Sequence, residues 1–358
     1  MKKAIVFLML CSCLHLSAQP KSQKLVIVTL DGCRWNEVFT GADSSLVTNN
    51  KFTRQKHIPE KYWKATSGER RKTLMPFFWN AIAQKGQLYG NRTVGNFVNV
   101  KNRYWFSYPG YNEMFTGYPD TAINSNNLPP NPNINVLDFI NRQSGYKNQV
   151  AVFAGWNAYY SILNAERSKL FINAGWANID DEPLNEVQKV LNEQQHVMPQ
   201  PFGPTERIDA ATYYMAREYL KKRHPKVLYL AFIDTDGYGH RGEYHYYLEA
   251  VHNTDGRIGE LWDYLQSDPF YKDQTTLLIT TDHGRGSDSL WTSHKNTIPH
   301  CDEIWFAAMG PNTPAIGEVT TPGQLYQNQI AKTIAAVLGL NFISNSPTGE
   351  IIKSVLKQ

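Results

Sequence analysis

Cysteine is scarce in this sequence of 358 residues: it has four, and two of them fall within the first 13 residues. Cys33 and Cys301 are the other two, so the sequence excludes a disulfide framework and leaves open whether this pair is bonded. An excess of charge of one sign is missing as well, because 36 basic and 32 acidic side chains give a net charge of +4. This balance argues against a polybasic protein that binds a nucleic-acid duplex or a membrane surface.

Long apolar runs are also missing: no stretch after residue 19 reaches the roughly 18 apolar residues of a transmembrane helix. Residues 1–19 hold a shorter apolar run at 4–16, preceded by two lysines and followed by the sequence SAQ. This pattern is typical of a secretory signal peptide. We therefore predict a signal peptide at 1–19, one domain at 20–358 and a periplasmic or secreted location. The run LCSC at 10–13 loosely resembles a lipobox, so lipoprotein anchoring stays an alternative.

Strand and helix patterns alternate along the rest of the chain. Buried strands are predicted at 24–30, 149–153, 227–233, 275–281 and 303–309. Helices are predicted at 72–85, 136–142, 206–222, 244–266 and 326–338, with Asn135 as an N-cap and Gly256 as a point where a helix can break. Long loops or inserts are predicted at 124–135 and 180–205. The alternation indicates an α/β fold with a mostly parallel central sheet and helices on both faces.

Three of the predicted strands end in residues of the same kind. The residues that follow them are Asp31 after the first, Asp234, Asp236 and His240 after the third, and Asp282 and His283 after the fourth. Ligands of open parallel sheets bind at the carboxyl ends of the strands. Clustered carboxylates repel one another unless cations neutralise them, and a mixed Asp/His set suits zinc. We predict a metal site at this sheet edge; the alternative is that each aspartate only caps the next helix.

Ser107 is the candidate nucleophile. It precedes Tyr108-Pro109-Gly110 and a predicted helix. The dipole and free N–H groups of a helix N-terminus favour anions, so a hydroxyl at this position is well placed to attack a phosphate or a sulfate. The alternative is that Ser107 only caps the helix.

Together these motifs resemble the alkaline phosphatase superfamily, most closely its type I phosphodiesterase/nucleotide pyrophosphatase-like branch. The resemblance extends over nearly the whole predicted domain. It implies an alkaline-phosphatase-like three-layer fold and two zinc ions, other divalent metals being an alternative. The residues that it implies as metal ligands are Asp31, Asp282 and His283, with the Ser107 oxygen, for one ion, and Asp236, His240 and a later histidine for the other.

The later histidine has two candidates, His294 and His300. In the family this histidine lies well upstream of the strand that leads to a Gly-Pro pair, which favours His294. Asp234 is expected to support the ligands rather than to bind metal, because Asp236 has the family's spacing to His240.

Ser107 matches the family nucleophile by its distance to Thr116-Gly117, although many phosphodiesterase relatives have Phe-Pro-Asn where this chain has Tyr-Pro-Gly. Asn126 is chosen as the phosphate-binding asparagine; the alternative is that it only makes a turn. Arg34, and with it Arg285, is a candidate for a phosphate contact; the alternative is that each pairs with an acid.

The implied activity is the hydrolysis of a small phosphorylated substrate through a phosphoserine enzyme, with phosphodiesterase favoured over phosphomonoesterase. A sulfatase is a further alternative, disfavoured because Tyr111 stands where the sulfatase pattern has arginine. The last alternative is a non-catalytic, metal-stabilised binding protein. Tyrosines near the metal motif, Tyr238, Tyr244, Tyr246 and Tyr247, either stack on a nucleobase or sugar or pack the core. The sequence indicates no oligomeric state.

Overall fold

The strands follow from uninterrupted apolar runs, of which residues 24–30, KLVIVTL, are buried at every position. The computed structural model describes residues 23–127, 129–344 and 346–357, so the predicted signal peptide lies outside the described residues. The strands are β1 (Lys24–Leu30), β2 (Gly86–Tyr89), β3 (Asn96–Asn99), β4 (Val150–Ala154), β5 (Phe171–Ala174), β6 (Val227–Phe232), β7 (Thr275–Thr280), β8 (Glu303–Ile304), β9 (Phe306–Met309), β10 (Gly317–Glu318) and β11 (Gly323–Tyr326).

Helices connect these strands. The α-helices are α1 (Trp35–Thr40), α2 (Ser44–Val47), α3 (His57–Tyr62), α4 (Ser67–Leu74), α5 (Ala83–Lys85), α6 (Ser107–Thr116), α7 (Val136–Asn141), α8 (Tyr159–Ile162), α9 (Ala165–Ser168), α10 (Glu186–Gln195), α11 (Asp209–Arg223), α12 (Asp234–His240), α13 (Tyr244–Ser267) and α14 (Ile330–Val337). In the ranges that the structure describes, no helix has the length and apolar character that a membrane crossing requires.

The central sheet has eight strands in the order β10-β2-β9-β7-β1-β6-β4-β5. β1 lies between β7 and β6 and is parallel to both, and β4 and β5 continue the parallel arrangement. Only β9 reverses direction, pairing antiparallel with β7 and β2. A separate sheet of three strands has the order β11-β3-β8. The three strands predicted to end in acidic residues are therefore neighbours.

Each face of the central sheet is covered by its own apolar cluster. Along β1, Val26, Val28 and Leu30 belong to one cluster, whereas Leu25 and Ile27 belong to the other, as the alternation of side chains in a strand requires. The first cluster includes residues of α11 and α13, and the second includes residues of α6, α7 and α14. The predicted three-layer α/β fold is confirmed.

Several predicted boundaries are wrong. The helix expected at 72–85 ends at Leu74, because Pro76 cannot continue it, and the chain resumes as a π-helical turn (Phe78–Ile82) before α5. α13 continues through Gly256 without a break. The strand expected at 303–309 is divided between two sheets as β8 and β9.

The insert expected at 180–205 contains α10, which begins at a capping box of Asn185 and Gln188. The two cysteines of the described ranges, Cys33 and Cys301, are both buried free thiols.

Candidate active site

The candidate ligands meet at the carboxyl edge of the central sheet. Asp31 follows β1, and Asp282 and His283 follow the neighbouring β7. On the other side of β1, α12 begins directly after β6 and carries Asp236 and His240. Their four-residue spacing places both side chains on one face of the helix, with His240 Nε2 3.2 Å from Asp236 Oδ2.

Asp31, Asp282 and His283 form a first set of candidate ligands, with one ligand atom from each lying within 4.8 Å of the others. His283 Nε2 is 3.4 Å from Asp31 Oδ1 and 3.3 Å from Asp282 Oδ2. All three side chains are buried, and apart from its ion-pair contact with His283, Asp282 Oδ2 accepts no hydrogen bond from the described residues. A buried carboxylate oxygen without a partner is costly and needs a ligand to compensate it.

Asp236, His240 and His294 form a second set. His294 Nε2 lies 2.9 Å from His240 Nε2 and 3.4 Å from Asp236 Oδ1. His283 stands between the two sets: its ring stacks on that of His294 at a centroid distance of 3.9 Å, and its ligand atom lies within 4.8 Å of those of Asp236 and His294.

The electrostatics of the cluster reflect acids crowded together in a buried place. Burial, followed by the charge of Asp236, raises the pKa of Asp31. Burial and then Asp31 raise the pKa of Asp282 well above its ordinary value. Burial also disfavours the charged form of His283, but the neighbouring acids, Asp282 first, raise its pKa to about 9. In Asp236 the effect of burial is overcome by Arg285, which contacts it and holds its pKa well below the usual range.

These residues fit two divalent cations. Three carboxylates and three imidazoles converge, an oxygen of Asp282 accepts no hydrogen bond from the described residues, and the Nε2 atoms of His240 and His294 face each other. Mixed oxygen and nitrogen donors of this kind suit zinc.

Ser107 is the first residue of α6. The N-cap is Phe106, whose backbone is extended, and the Ser107 hydroxyl makes no hydrogen bond to the helix N–H groups. It lies instead 3.3 Å from His283 Nε2 and 3.5 Å from Asp31 Oδ1. The geometry therefore turns the hydroxyl towards the ligand cluster rather than into a capping position.

Two residues of α6 bring that helix against the strand ends. Gly110 packs so closely that a Cβ atom there would lie 2.5 Å from the carbonyl oxygen of Asp282. Tyr111 Oη donates to Asp31 Oδ2 at 2.9 Å. The tyrosine that stands in place of the sulfatase arginine thus holds a candidate ligand.

A cavity of about 660 Å³ opens over the cluster. Its polar side contains Asp31, Ser107, Asn126, Asp236, His240 and His294. Its other side is largely apolar, with Phe106, Trp156, Pro201, Phe202 and Ile233, and it also carries Glu206, Arg241 and Lys295. Asn126 is held in place because its Oδ1 accepts from the Tyr108 N–H at 2.9 Å.

Arg34 is not brought to this cavity. Its guanidinium is buried, donates to Glu37 at 3.0 Å and pairs with Asp43 at 3.2 Å. The substrate contact predicted for Arg34 is corrected accordingly, since the alternative of pairing with acids is what the geometry shows. Arg285 is likewise buried against Asp236. His300 Nδ1 lies 3.0 Å from Glu303 Oε1, apart from both ligand sets.

For the tyrosines near the metal motif, the sequence left open whether they stack on substrate or pack the core. Tyr244 and Tyr247 are fully buried and donate to Glu37, so they pack the core. The cavity uses Trp156 and Phe202 instead. Trp156 follows β4 by two residues, so the rule that singled out the other strand ends also points to it.

The comparisons with known proteins agree with this geometry. A sequence model described as the Metalloenzyme superfamily matches residues 157–341. The chain belongs to that alkaline-phosphatase-like superfamily. Its members include metal-dependent hydrolases. No curated protein sequence matches the chain significantly.

Solved structures extend the likeness to the whole fold. The alkaline phosphatase PafA is similar over 94% of this chain and 99% of its own, with a TM-score of 0.61 and 10% identity. The lipoteichoic acid synthase LtaP from Listeria monocytogenes is similar over 91% of this chain and 74% of its own, with a TM-score of 0.56 and 13% identity. A phosphonate monoester hydrolase from Silicibacter pomeroyi is similar over 93% of this chain and 76% of its own, with a TM-score of 0.55 and 13% identity. At these identities the likeness shows the fold alone.

Proposed function

We propose that this protein is a metal-dependent hydrolase of phosphoric esters that uses Ser107 as its nucleophile and prefers diesters. One observation carries the proposal: the Ser107 hydroxyl faces the ligand cluster at 3.3 Å from His283 Nε2, at the floor of a cavity open to substrate. The pattern of residues 1–19 supports export to the periplasm or the medium.

Two divalent ions, for which zinc suits the donors, are proposed as cofactors. Asp31, Asp282 and His283 would hold one, and Asp236, His240 and His294 the other. When bound, such ions supply positive charge that lowers the pKa of an attacking hydroxyl and stabilises the charge of a leaving oxygen.

The chain's own residues account for the positioning of the reactants. Ser107 Oγ would attack phosphorus in line, so that a serine O–P bond forms while the bond to the ester oxygen breaks. That oxygen leaves with the electron pair and takes up the proton that the Ser107 hydroxyl loses. Water would then hydrolyse the phosphoserine and restore the hydroxyl. Because Asn126 Oδ1 is engaged by the Tyr108 N–H, the amide Nδ2 of Asn126 is left to donate to a phosphoryl oxygen.

The apolar wall of the cavity supports a diester. Phe106, Trp156, Phe202 and Ile233 offer surface to a second substituent that a monoester lacks. Lys295 favours the second candidate function, a phosphomonoesterase, because it is exposed at the same cavity and supplies the cation that a doubly charged monoester needs. Tyr111, bonded to Asp31, keeps the sulfatase disfavoured.

The test is a comparison of kcat/KM for three chromogenic esters on zinc-loaded protein: bis-p-nitrophenyl phosphate, p-nitrophenyl phosphate and p-nitrophenyl sulfate. We expect the diester to be turned over best. A preference for the monoester would replace the diesterase with a phosphatase that uses Lys295. Turnover of the sulfate alone, or of none of the three, would contradict the proposed phosphoric ester chemistry.

A further inference from the structure

Glu206 lies in the candidate cavity, and its carboxylate has no hydrogen-bond or ion-pair partner among the described residues. Its carboxylate lines the cavity with Trp156 and Phe202. Within residues 23–127, 129–344 and 346–357 it makes no hydrogen bond and no ion pair, although it is more than half buried. An acid held in this way is costly unless a ligand supplies its partner.

The local backbone directs Glu206 to the cavity and the next residue away from it. Glu206 forms an isolated antiparallel bridge with Trp156, and the Arg207 N–H donates to the Gly155 carbonyl at 2.7 Å. Successive side chains of an extended segment point to opposite sides. The buried guanidinium of Arg207 accordingly donates to Thr212 Oγ1 at 3.1 Å and leaves Glu206 uncompensated.

The other cations of the cavity do not neutralise Glu206 either. Arg241 pairs with Glu243 at 2.6 Å and donates to the Pro201 carbonyl at 3.2 Å. Lys295 forms no ion pair with Glu206, and burial, with the acids Asp236 and Asp31, raises the pKa of Glu206 to about 7. None of the cationic side chains in the described ranges forms an ion pair with this carboxylate, which leaves it free to accept a cationic group of a ligand.

The rings beside Glu206 suit the same kind of partner. Phe202 packs closely on Gly237: a Cβ atom added to Gly237 would lie 2.5 Å from Phe202 Cδ1. The Phe202 ring also meets the Tyr238 ring edge-on, at a centroid distance of 4.9 Å. Phe202 is therefore held in place, and Trp156 lines the same wall. Aromatic faces attract ammonium groups, most strongly where water is excluded.

We propose that Glu206, Trp156 and Phe202 form a subsite for an ammonium-bearing substituent of a phosphodiester, with the carboxylate accepting the ammonium N–H groups. The inference rests on the proposed function and names the substrate class of that site. Glu206 is not a member of either candidate metal-ligand group, so its proposed partner is the substrate rather than a metal ion.

The first experiment compares two p-nitrophenyl diesters of equal size, one with a 2-aminoethyl and one with a propyl substituent. We expect wild-type kcat/KM to favour the ammonium ester by on the order of tenfold. Glu206→Gln should bring the ratio close to one. Glu193→Gln, an exposed acid on α10, is the matched control and should keep the wild-type ratio. A wild-type ratio near one overturns the subsite.

The second experiment measures binding, so that failure of the subsite is distinguished from failure of the proposed reaction. Titration calorimetry on the Ser107→Ala protein compares 2-aminoethyl phosphate with propyl phosphate. Tighter binding of the ammonium compound, lost when Glu206→Gln is added, supports the subsite even if no ester is turned over. Equal Kd values overturn it even if diesters are hydrolysed. Loss of zinc from Glu206→Gln would also overturn it, because Glu206 would then be a metal ligand.

Discussion

His294 Nδ1 lies 3.3 Å from the carbonyl oxygen of Trp105, two residues before the candidate nucleophile. An N–H at Nδ1 donates to that carbonyl, which leaves Nε2 with its lone pair facing Asp236 and His240. The loop that leads into α6 thus also fixes the tautomer and orientation of a candidate ligand.

The conformation of that loop is held by its own contacts. Trp105 has a φ of 58°, a left-handed conformation that a bulky side chain rarely adopts. Asn102 Oδ1 accepts from the N–H groups of Tyr104 and Trp105, and Glu113 on α6 accepts from the Asn102 N–H at 2.6 Å. These contacts tie the loop to the helix that carries Ser107.

The first prediction separates His294 from His300. His294→Ala should weaken the binding of one of two zinc ions by at least about 100-fold, because it removes a ligand atom from the second set. His300→Ala is the control and should still bind two zinc ions, since the His300 imidazole pairs with Glu303 in the wild-type protein. Zinc per chain, measured by mass spectrometry after dialysis, decides between them. Loss of metal only in the His300 variant would reverse the assignment.

The second prediction concerns Ser107. Ser107→Ala should lower turnover by at least about 10³-fold, since the nucleophile is lost, while the six proposed ligands still hold zinc. Ser267→Ala, exposed at the end of α13, should leave turnover unchanged. Turnover and zinc content are measured on the same preparations. An active Ser107→Ala protein would rule out this nucleophile.

The third prediction tests the close approach of α6 to β7. Gly110→Ala should destabilise the protein by about 1–3 kcal/mol and lower turnover, because the new methyl group would displace α6 from the Asp282 carbonyl. Gly256→Ala is the matched control: its Cβ would meet nothing within 4 Å, so it should stabilise α13 by about 0.5–1 kcal/mol. Urea unfolding measures both. An unaffected Gly110→Ala protein would show that α6 moves at no cost.

The sequence predicts the sheet and its charged edge because both depend on local patterns. Continuous apolar runs indicate the parallel strands, and the ends of such strands share one edge, so Asp31, Asp236 and Asp282 could be expected to meet. The contacts of Glu113 and Tyr111 were not predicted, because their partners are 11 and 80 residues away and no local pattern connects them.

The cavity wall was harder to predict than the ligands. Phe202 lies in a loop and reaches the cavity only because it packs on Gly237, a contact that depends on tertiary structure. Glu206 falls inside the segment predicted as a helix at 206–222, whereas α11 begins at Asp209. That error in the helix boundary placed the carboxylate on the wrong element. Glu37, three residues after Arg34, was a local signal that Arg34 pairs with an acid rather than with the substrate.

The last prediction is a pH dependence outside the candidate site. Asp255 on α13 accepts hydrogen bonds from the N–H groups of Phe77 and Phe78 at 2.7 and 2.9 Å, and burial raises its pKa to about 7. Between about pH 4 and pH 7 the folded protein keeps a proton that the unfolded chain has lost. The contribution of Asp255 to the free energy of unfolding should therefore fall by about 1.4 kcal/mol per pH unit over this range and level off above it.

The measurement compares urea unfolding of wild type and Asp255→Asn from pH 5 to pH 8. The stability of wild type relative to Asp255→Asn should decrease as the pH rises, because the amide does not titrate and the charges common to both proteins cancel. Asp263→Asn changes an exposed acid on the same helix and should give a difference that does not depend on pH. A constant difference for Asp255→Asn as well would mean that the folded protein ionises Asp255 at least as readily as the unfolded chain does, so that the two N–H donors at least offset burial.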